Sequence, residues 1–295
     1  MSAADRLRFY AAAFDTVEIN ASYYAIPSTR NALLWAARTP PGFVFNVKAY
    51  SLLTGHHPKA ESLPAELRVF LPAHPKLTHR GEIDRSAFPR EALDECFRLF
   101  REALGPLAEA GKLGYVLFQF APWVRFSDKG LAYLASLPQQ LPGWTVAVEF
   151  RDRSWIPEHA DETFAALRQV GLAHVVVDAP ATPNAVPRVA MVTAPTAVLR
   201  LHGRNAEGWL RQLRGGEPSV REKYDYRYSD AELGALLPEV AQLEEEAERV
   251  FISFNNNNRA YPVENARMML RLLGRRPYGV EGRGAAEGEP SESNR

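Results

Sequence analysis

Seven short runs rich in Val, Ile, Phe and Tyr recur along this chain, separated by stretches of helical periodicity. The runs are Asp15–Asn20, Phe43–Ala49, Leu113–Phe120, Thr145–Phe150, Ala173–Asp178, Ala197–His202 and Val250–Asn255. Such compact apolar segments are the mark of strands buried on both faces. Between them lie amphipathic stretches at 3–13, 28–38, 89–110, 127–137, 157–170, 229–248 and 262–273. Ser28 and Ser229 are placed as N-caps, and Glu232 completes a capping box with Ser229. Strand and helix in alternation require a parallel sheet with helices outside it. No G-x-G-x-x-G follows the first run, which favours a TIM-type (β/α) barrel over an open dinucleotide-binding sheet. The strand count is one short of eight, and the chain opens on a helix, as a barrel does when its first strand is missing.

A single barrel domain is therefore expected over 1–274. The segment 275–295 is rich in Gly, Glu, Ser and Arg, lacks apolar periodicity, and is expected to be a disordered tail. The stretch from Tyr50 to Arg90 is long for a connection inside a compact domain, a length common in lids. At 295 residues and 46% hydrophobic composition, the chain can bury a core without staples. Its 35 basic residues match its 35 acidic ones. That balance argues against bulk capture of nucleic acid or an anionic membrane, while leaving room for a local basic patch. Cys96 is the one cysteine, so no intrachain disulfide is available, and it is expected in the core. No apolar run is long enough to span a bilayer. A soluble, cytoplasmic, monomeric protein without membrane contact is expected.

Side chains alternate along a strand, and barrel sites form where parallel strands end. Each run delivers polar groups there: Glu18 and Asn20; Asn46 and Lys48; Gln119; Glu149 and Arg151; Asp178; Arg200, His202 and Arg204; Ser253 and Asn255. One such residue is ordinary barrel lining, but seven strands sharing the pattern predict a polar, mixed-charge mouth. Carboxylates Glu18, Glu149 and Asp178 beside His202 suit acid–base work. Lys48, Arg151, Arg200 and Arg204 suit a phosphate or carboxylate. The same oxygens and imidazole would serve a divalent metal, but the neighbouring cations disfavour it, so no metal ligands are assigned and no cofactor is named. His56, His57, His74 and His79 in the long connection match no zinc spacing. From Arg200 to Arg227 there are seven basic and four acidic residues, closing on Tyr224, Tyr226 and Tyr228, a weak nucleic-acid signal.

Longer motifs run through most of the chain: FDTVEINASYY (14–24), WAARTPPGFVFNVKA (35–49), SLLTGHHP (51–58), LFQFAPW (117–123), VEFRDRSW (148–155), RLHGRN (200–205), YDYRYS (224–229) and FNNNNRAYPVENA (254–266). In order and spacing they resemble the DUF72, or YecE-like, family. The resemblance implies a TIM-type barrel but no known reaction. Its motif residues are Glu18, Asn20, Lys48, Gln119, Glu149, Arg151, His202, Arg204, Tyr226, Asn255 and Asn256. Members usually open with a G-T-S-G-W-x-Y strand, which this sequence lacks, and a misassigned start is the expectation. Asn257 and Asn258 stand where members commonly carry His or an aromatic residue. The leading expectation is an enzyme, a hydrolase or lyase, acting on an anionic, phosphorylated or nucleotide-like small molecule. Lys48, Arg151 and Arg204 would hold the anion, with Glu149, His202 and Glu18 as the catalytic groups. The alternatives are a non-catalytic nucleic-acid-binding protein and a metal-dependent phosphodiesterase.

Overall fold

The computed structural model describes residues 2–182, 185–213, 220–256 and 259–275. Seven strands form one sheet: β1 Thr16–Ile19, β2 Val44–Lys48, β3 Leu113–Gln119, β4 Val146–Glu149, β5 Ala173–Asp178, β6 Thr196–Leu201 and β7 Arg249–Phe254. Every neighbouring pair is parallel and the spatial order follows the sequence, which makes a nearly closed α/β barrel of the TIM type. Alternation separates two packing surfaces. Tyr115, Leu117, Ala147, Val175, Val198 and Phe251 fill the barrel interior. Val116, Phe118, Val146 and Val148 face the helices on one side, and Val176, Leu199 and Leu201 face them on the other.

The seam between β1 and β7 stays open. Among the described residues β1 pairs with β2 and β7 with β6, and neither pairs with the other. The consequence is visible in burial: β4 and β5 are buried throughout, whereas every residue of β1 is partly exposed. A cleft of about 770 Å³ runs along the seam, lined by Val17, Glu18, Phe251 and Ser253, with Pro262 and Met269 from the last helix. The hydroxyl of Ser253 reaches across it to Glu18 at 3.4 Å.

The helices form where polar caps meet apolar stripes. Arg90–Glu109 buries Ala92, Cys96, Phe97, Phe100, Leu104 and Leu107 along one face, with Cys96 fully buried as expected. Ser28, Ser127 and Ser229 each accept a backbone N–H at a helix start. The single helix expected over 229–248 is two, Asp230–Gly234 and Leu237–Glu246. Pro238 explains the break: it lacks an N–H, and its ring would collide with the carbonyl of Gly234 in a continuous helix. The stretch from Tyr50 to Arg90 is not a loose lid. Short helical turns bring Leu52, Leu53, Leu63 and Leu67 into the main core, an isolated bridge to Leu77 brings Ile83, and all five are buried. No helix among the described residues is long and apolar enough to cross a membrane. The expected tail, from 276 onward, lies outside the described residues, as do Asn257 and Asn258.

Candidate functional site

Arg200 is the hub of the barrel's C-terminal mouth. It points inward from β6, is fully buried, and carries a carboxylate on each side. Its Nε and Nη2 donate to Glu18 of β1 at 3.0 and 2.6 Å, and its Nη1 donates to Glu149 of β4. Glu149 also pairs with Nε of Arg151 at 2.5 Å. The hydroxyl of Tyr115 approaches Glu18 at 3.4 Å. Burial by itself would push both carboxyls up. The charge and hydrogen bonds of Arg200, together with the charge of Lys48, instead hold Glu18 below its ordinary value, and Arg151, Arg200 and His202 hold Glu149 well below the carboxylate range. Both are fixed as anions, and Arg200 as a cation.

His202 completes this group one turn of alternation beyond Arg200. Its Nδ1 meets the side-chain amide of Asn255 at 2.9 Å, and its Nε2 lies 3.4 Å from Glu149 and 3.3 Å from Nη2 of Arg151. With the Asn255 amide donating to Nδ1, the ring proton sits on Nε2, facing Glu149. Burial first, and then the Arg151 charge, lowers the imidazole pKa to about 4, so the ring is neutral at neutral pH. Gly203 then turns the chain with φ of 83°, and its N–H donates to the Tyr228 hydroxyl at 2.9 Å. A Cβ there would stand 2.6 Å from the Cβ of Tyr226, so both backbone and space require glycine.

Lys48 ends β2 beside this group, its ammonium 4.3 Å from the centre of the Tyr23 ring. Burial, and next the charge of Arg200, lowers its pKa to about 8. The central charges are then Glu18 and Glu149 against Arg200, Arg151 and Lys48, a cationic excess. Arg151 is the outermost of the pair network, its side chain 13% exposed. Above it lies the helix Ala206–Leu213, whose Trp209 ring is 5.9 Å from the Arg151 guanidinium and 3.7 Å from the Lys223 ammonium.

The sequence expectation grouped all mouth residues together, and the fold divides them. Asp178 does not share the face of Glu149. Val175 and Val177 take the inward positions of β5, so Asp178 is directed to the outer layer. There it accepts from Arg204 at 2.9 Å, from Arg188 at 2.6 Å and from the Tyr228 hydroxyl at 2.6 Å. Arg204 and Tyr226 belong to this second network, Tyr226 donating to Glu232. Asn256 is fully buried and donates to the carbonyl of Tyr226 and to Asn265, which pins the loop. Asn20 stands at the start of the turn after β1 and lines the seam cleft, and Gln119 ends β3 in register with Glu149. Sequence reasoning passed over Tyr115 and Arg188, and named Tyr228 only as part of a weak nucleic-acid signal. Tyr115 sits mid-strand, too early for a mouth residue, and Arg188 lies in a connection without periodicity. Among the described residues no group of three or more His, Cys, Asp or Glu gathers as a metal site.

The barrel, its sequential parallel strands and this mouth can be compared with known proteins. A family model described as "Protein of unknown function DUF72" matches residues 1–291. The chain belongs to the DUF72 family. It is similar to the UPF0759 protein YunF of Bacillus subtilis (strain 168), at 34% identity over 271 residues, covering 91% of this chain and 86% of that one. Among solved structures, a DUF72 family protein from Enterococcus faecalis V583 aligns with a TM-score of 0.74 and 27% identity, covering 91% and 88% of the two chains. Another, from Thermotoga maritima MSB8, aligns at 0.71 and 29% identity, covering 93% and 91%. These DUF72 relatives carry the barrel fold and name no reaction.

Proposed function

We propose that this DUF72 protein is an enzyme that binds an anionic, phosphorylated or nucleotide-like small molecule at the C-terminal mouth of the barrel and acts on it by acid–base chemistry. The observation that carries the reading is the cationic excess of Lys48, Arg151 and Arg200 over Glu18 and Glu149, packed against a neutral imidazole. Arg151 and Lys48, the outer cations, hold the anion. Guanidinium geometry suits two oxygens of one phosphate or carboxylate. His202 accepts a proton from the bound molecule at Nδ1, which must first release the Asn255 amide, because Nε2 already carries the ring proton. Glu149 then stabilises the resulting imidazolium through the Nε2 contact. Glu18 acts through Arg200, which it orients, and is a positioning residue in this scheme. Arg204, Asp178 and Tyr226 shape the loop that carries His202. The buried, single Cys96 fits a reducing cytoplasm.

Calorimetric titration with ribose 5-phosphate and with pyrophosphate tests the anion site. Wild type should bind at least one of them, and Lys48→Ala and Arg151→Ala should each weaken that binding about tenfold or more, the scale of a lost charge-assisted contact. Equal affinity in all three proteins sinks the assignment. Binding that depends on an added divalent metal, or that appears only with oligonucleotides and falls steeply with salt, would replace it with a metal-dependent phosphodiesterase or a nucleic-acid-binding module.

A further inference from the structure

A row of rings borders the mouth on the side of β1, β2 and β3. Tyr24 meets Tyr23 edge-on at 4.9 Å, and Tyr23 meets His56 edge-on at 5.1 Å. His56 lies 5.6 Å from Trp123, and His57 stacks on Trp123 at 5.2 Å and 19°. The rings come from the connections after β1, β2 and β3, which the pairing of these adjacent strands brings together.

Their polar atoms are tied down. The Trp123 indole N–H donates to the carbonyl of Gly55 at 3.0 Å. Gly55 sits at φ of 82°, and a Cβ there would meet Val124 at 2.5 Å. His57 Nδ1 accepts the backbone N–H of Arg85 at 3.0 Å, and His56 Nδ1 meets the Thr54 hydroxyl at 2.8 Å. Yet Trp123 is 54% exposed and Tyr24 is 62% exposed. An isolated exposed aromatic needs no explanation. An indole held by a hydrogen bond, stacked by His57 and still half exposed is a different matter. Lys48 lies on the Tyr23 ring, one step along the row. Burial, with the charges of Lys48 and Arg151 behind it, lowers the His56 pKa to about 3. His56 is thus neutral, and the Lys48 ammonium stands over Tyr23, which is joined to Trp123 through His56.

A flat π surface within reach of a cation fits a flat ring that carries an anion. We propose that Trp123, backed by His57, is a stacking subsite for the base of a nucleoside phosphate whose phosphate lies on Lys48 and Arg151. This rests on the anion reading above and narrows its ligand to one carrying an aromatic base. Stacking on an aromatic side chain tolerates any base, so the subsite selects for the presence of a base rather than its identity.

The probes are AMP, ribose 5-phosphate and a single-stranded oligoadenylate, titrated into wild type, Trp123→Ala and Trp123→Phe. AMP should bind wild type roughly ten- to a hundredfold more tightly than ribose 5-phosphate. Trp123→Ala should bring AMP to the level of ribose 5-phosphate and leave the sugar phosphate unchanged, and Trp123→Phe should restore most of the difference. Because Trp123 is half exposed, its removal should leave the circular dichroism spectrum intact. Should the oligoadenylate bind more tightly than AMP through Trp123, the base belongs to a strand; should AMP bind more tightly, to a free nucleotide. If ribose 5-phosphate and AMP bind wild type equally, or Trp123→Ala weakens both alike, the subsite is refuted while the anion site stands. If neither binds, the subsite falls, and the anion site falls with it when pyrophosphate does not bind either.

Discussion

Arg200→Met removes the one cation that touches both interior carboxylates. Glu18 and Glu149 would remain in the barrel, Glu149 still held by Arg151 and Glu18 left without its two hydrogen bonds of 3.0 and 2.6 Å. Breaking a buried pair by removing one partner costs about 3–5 kcal/mol, because a charge stays buried without compensation. In a chain of this size about 1 kcal/mol moves the melting temperature by roughly 2 °C, so a fall of roughly 6–10 °C is expected. The loss should depend on pH. In wild type both carboxyls have folded pKa values below the ordinary one, so their stabilisation is present above the unfolded pKa and is lost as pH falls through the folded values. In the variant, burial acts without the guanidinium and raises the folded pKa. The deficit against wild type should then be largest at neutral pH and shrink as the carboxyls take up protons in mild acid. Urea denaturation of both proteins across that range measures it. Adding Glu18→Gln to the variant should recover most of the loss, since Glu149 keeps Arg151 as its partner and the unpaired carboxylate is gone. A deficit under about 1 kcal/mol, or one of equal size at neutral and mildly acid pH, refutes the account of a buried charge network.

Three further outcomes follow from the same geometry. His202 should stay neutral until pH falls toward about 4, and an imidazole NMR titration with a midpoint at the ordinary value of about 6.5 would contradict its burial against Arg151. Gly203→Ala should destabilise by about 1–3 kcal/mol in denaturant unfolding, from the positive φ and the 2.6 Å approach of Tyr226; a neutral effect would show that this turn relaxes freely. Amides of β1 and β7 should exchange with deuterium faster than those of β4 and β5, because the seam leaves one side of each unpaired, and equal protection would mean the seam is closed in solution.

Period and parity in the sequence alone determined the parallel barrel, its seven strands and the polar ends of those strands, because backbone geometry fixes which residues share a face. They also located Glu18, Lys48, Glu149, Arg151 and His202 at one mouth, and put Cys96 in the core. Capping residues marked the helix starts. Tertiary structure alone decided the partners. Glu18 and Arg200 are 182 residues apart, and only the curvature of the sheet brings them within hydrogen-bond distance. Asp178 ended on the outer face because the inward positions of β5 fall on Val175 and Val177, an odd–even choice that pairing settles and composition does not. The rings of Tyr23, His56 and Trp123 were scattered over three connections without period, so no local pattern announced them. A strand's own residues dictate where its side chains point, but what they meet there depends on how the whole sheet bends.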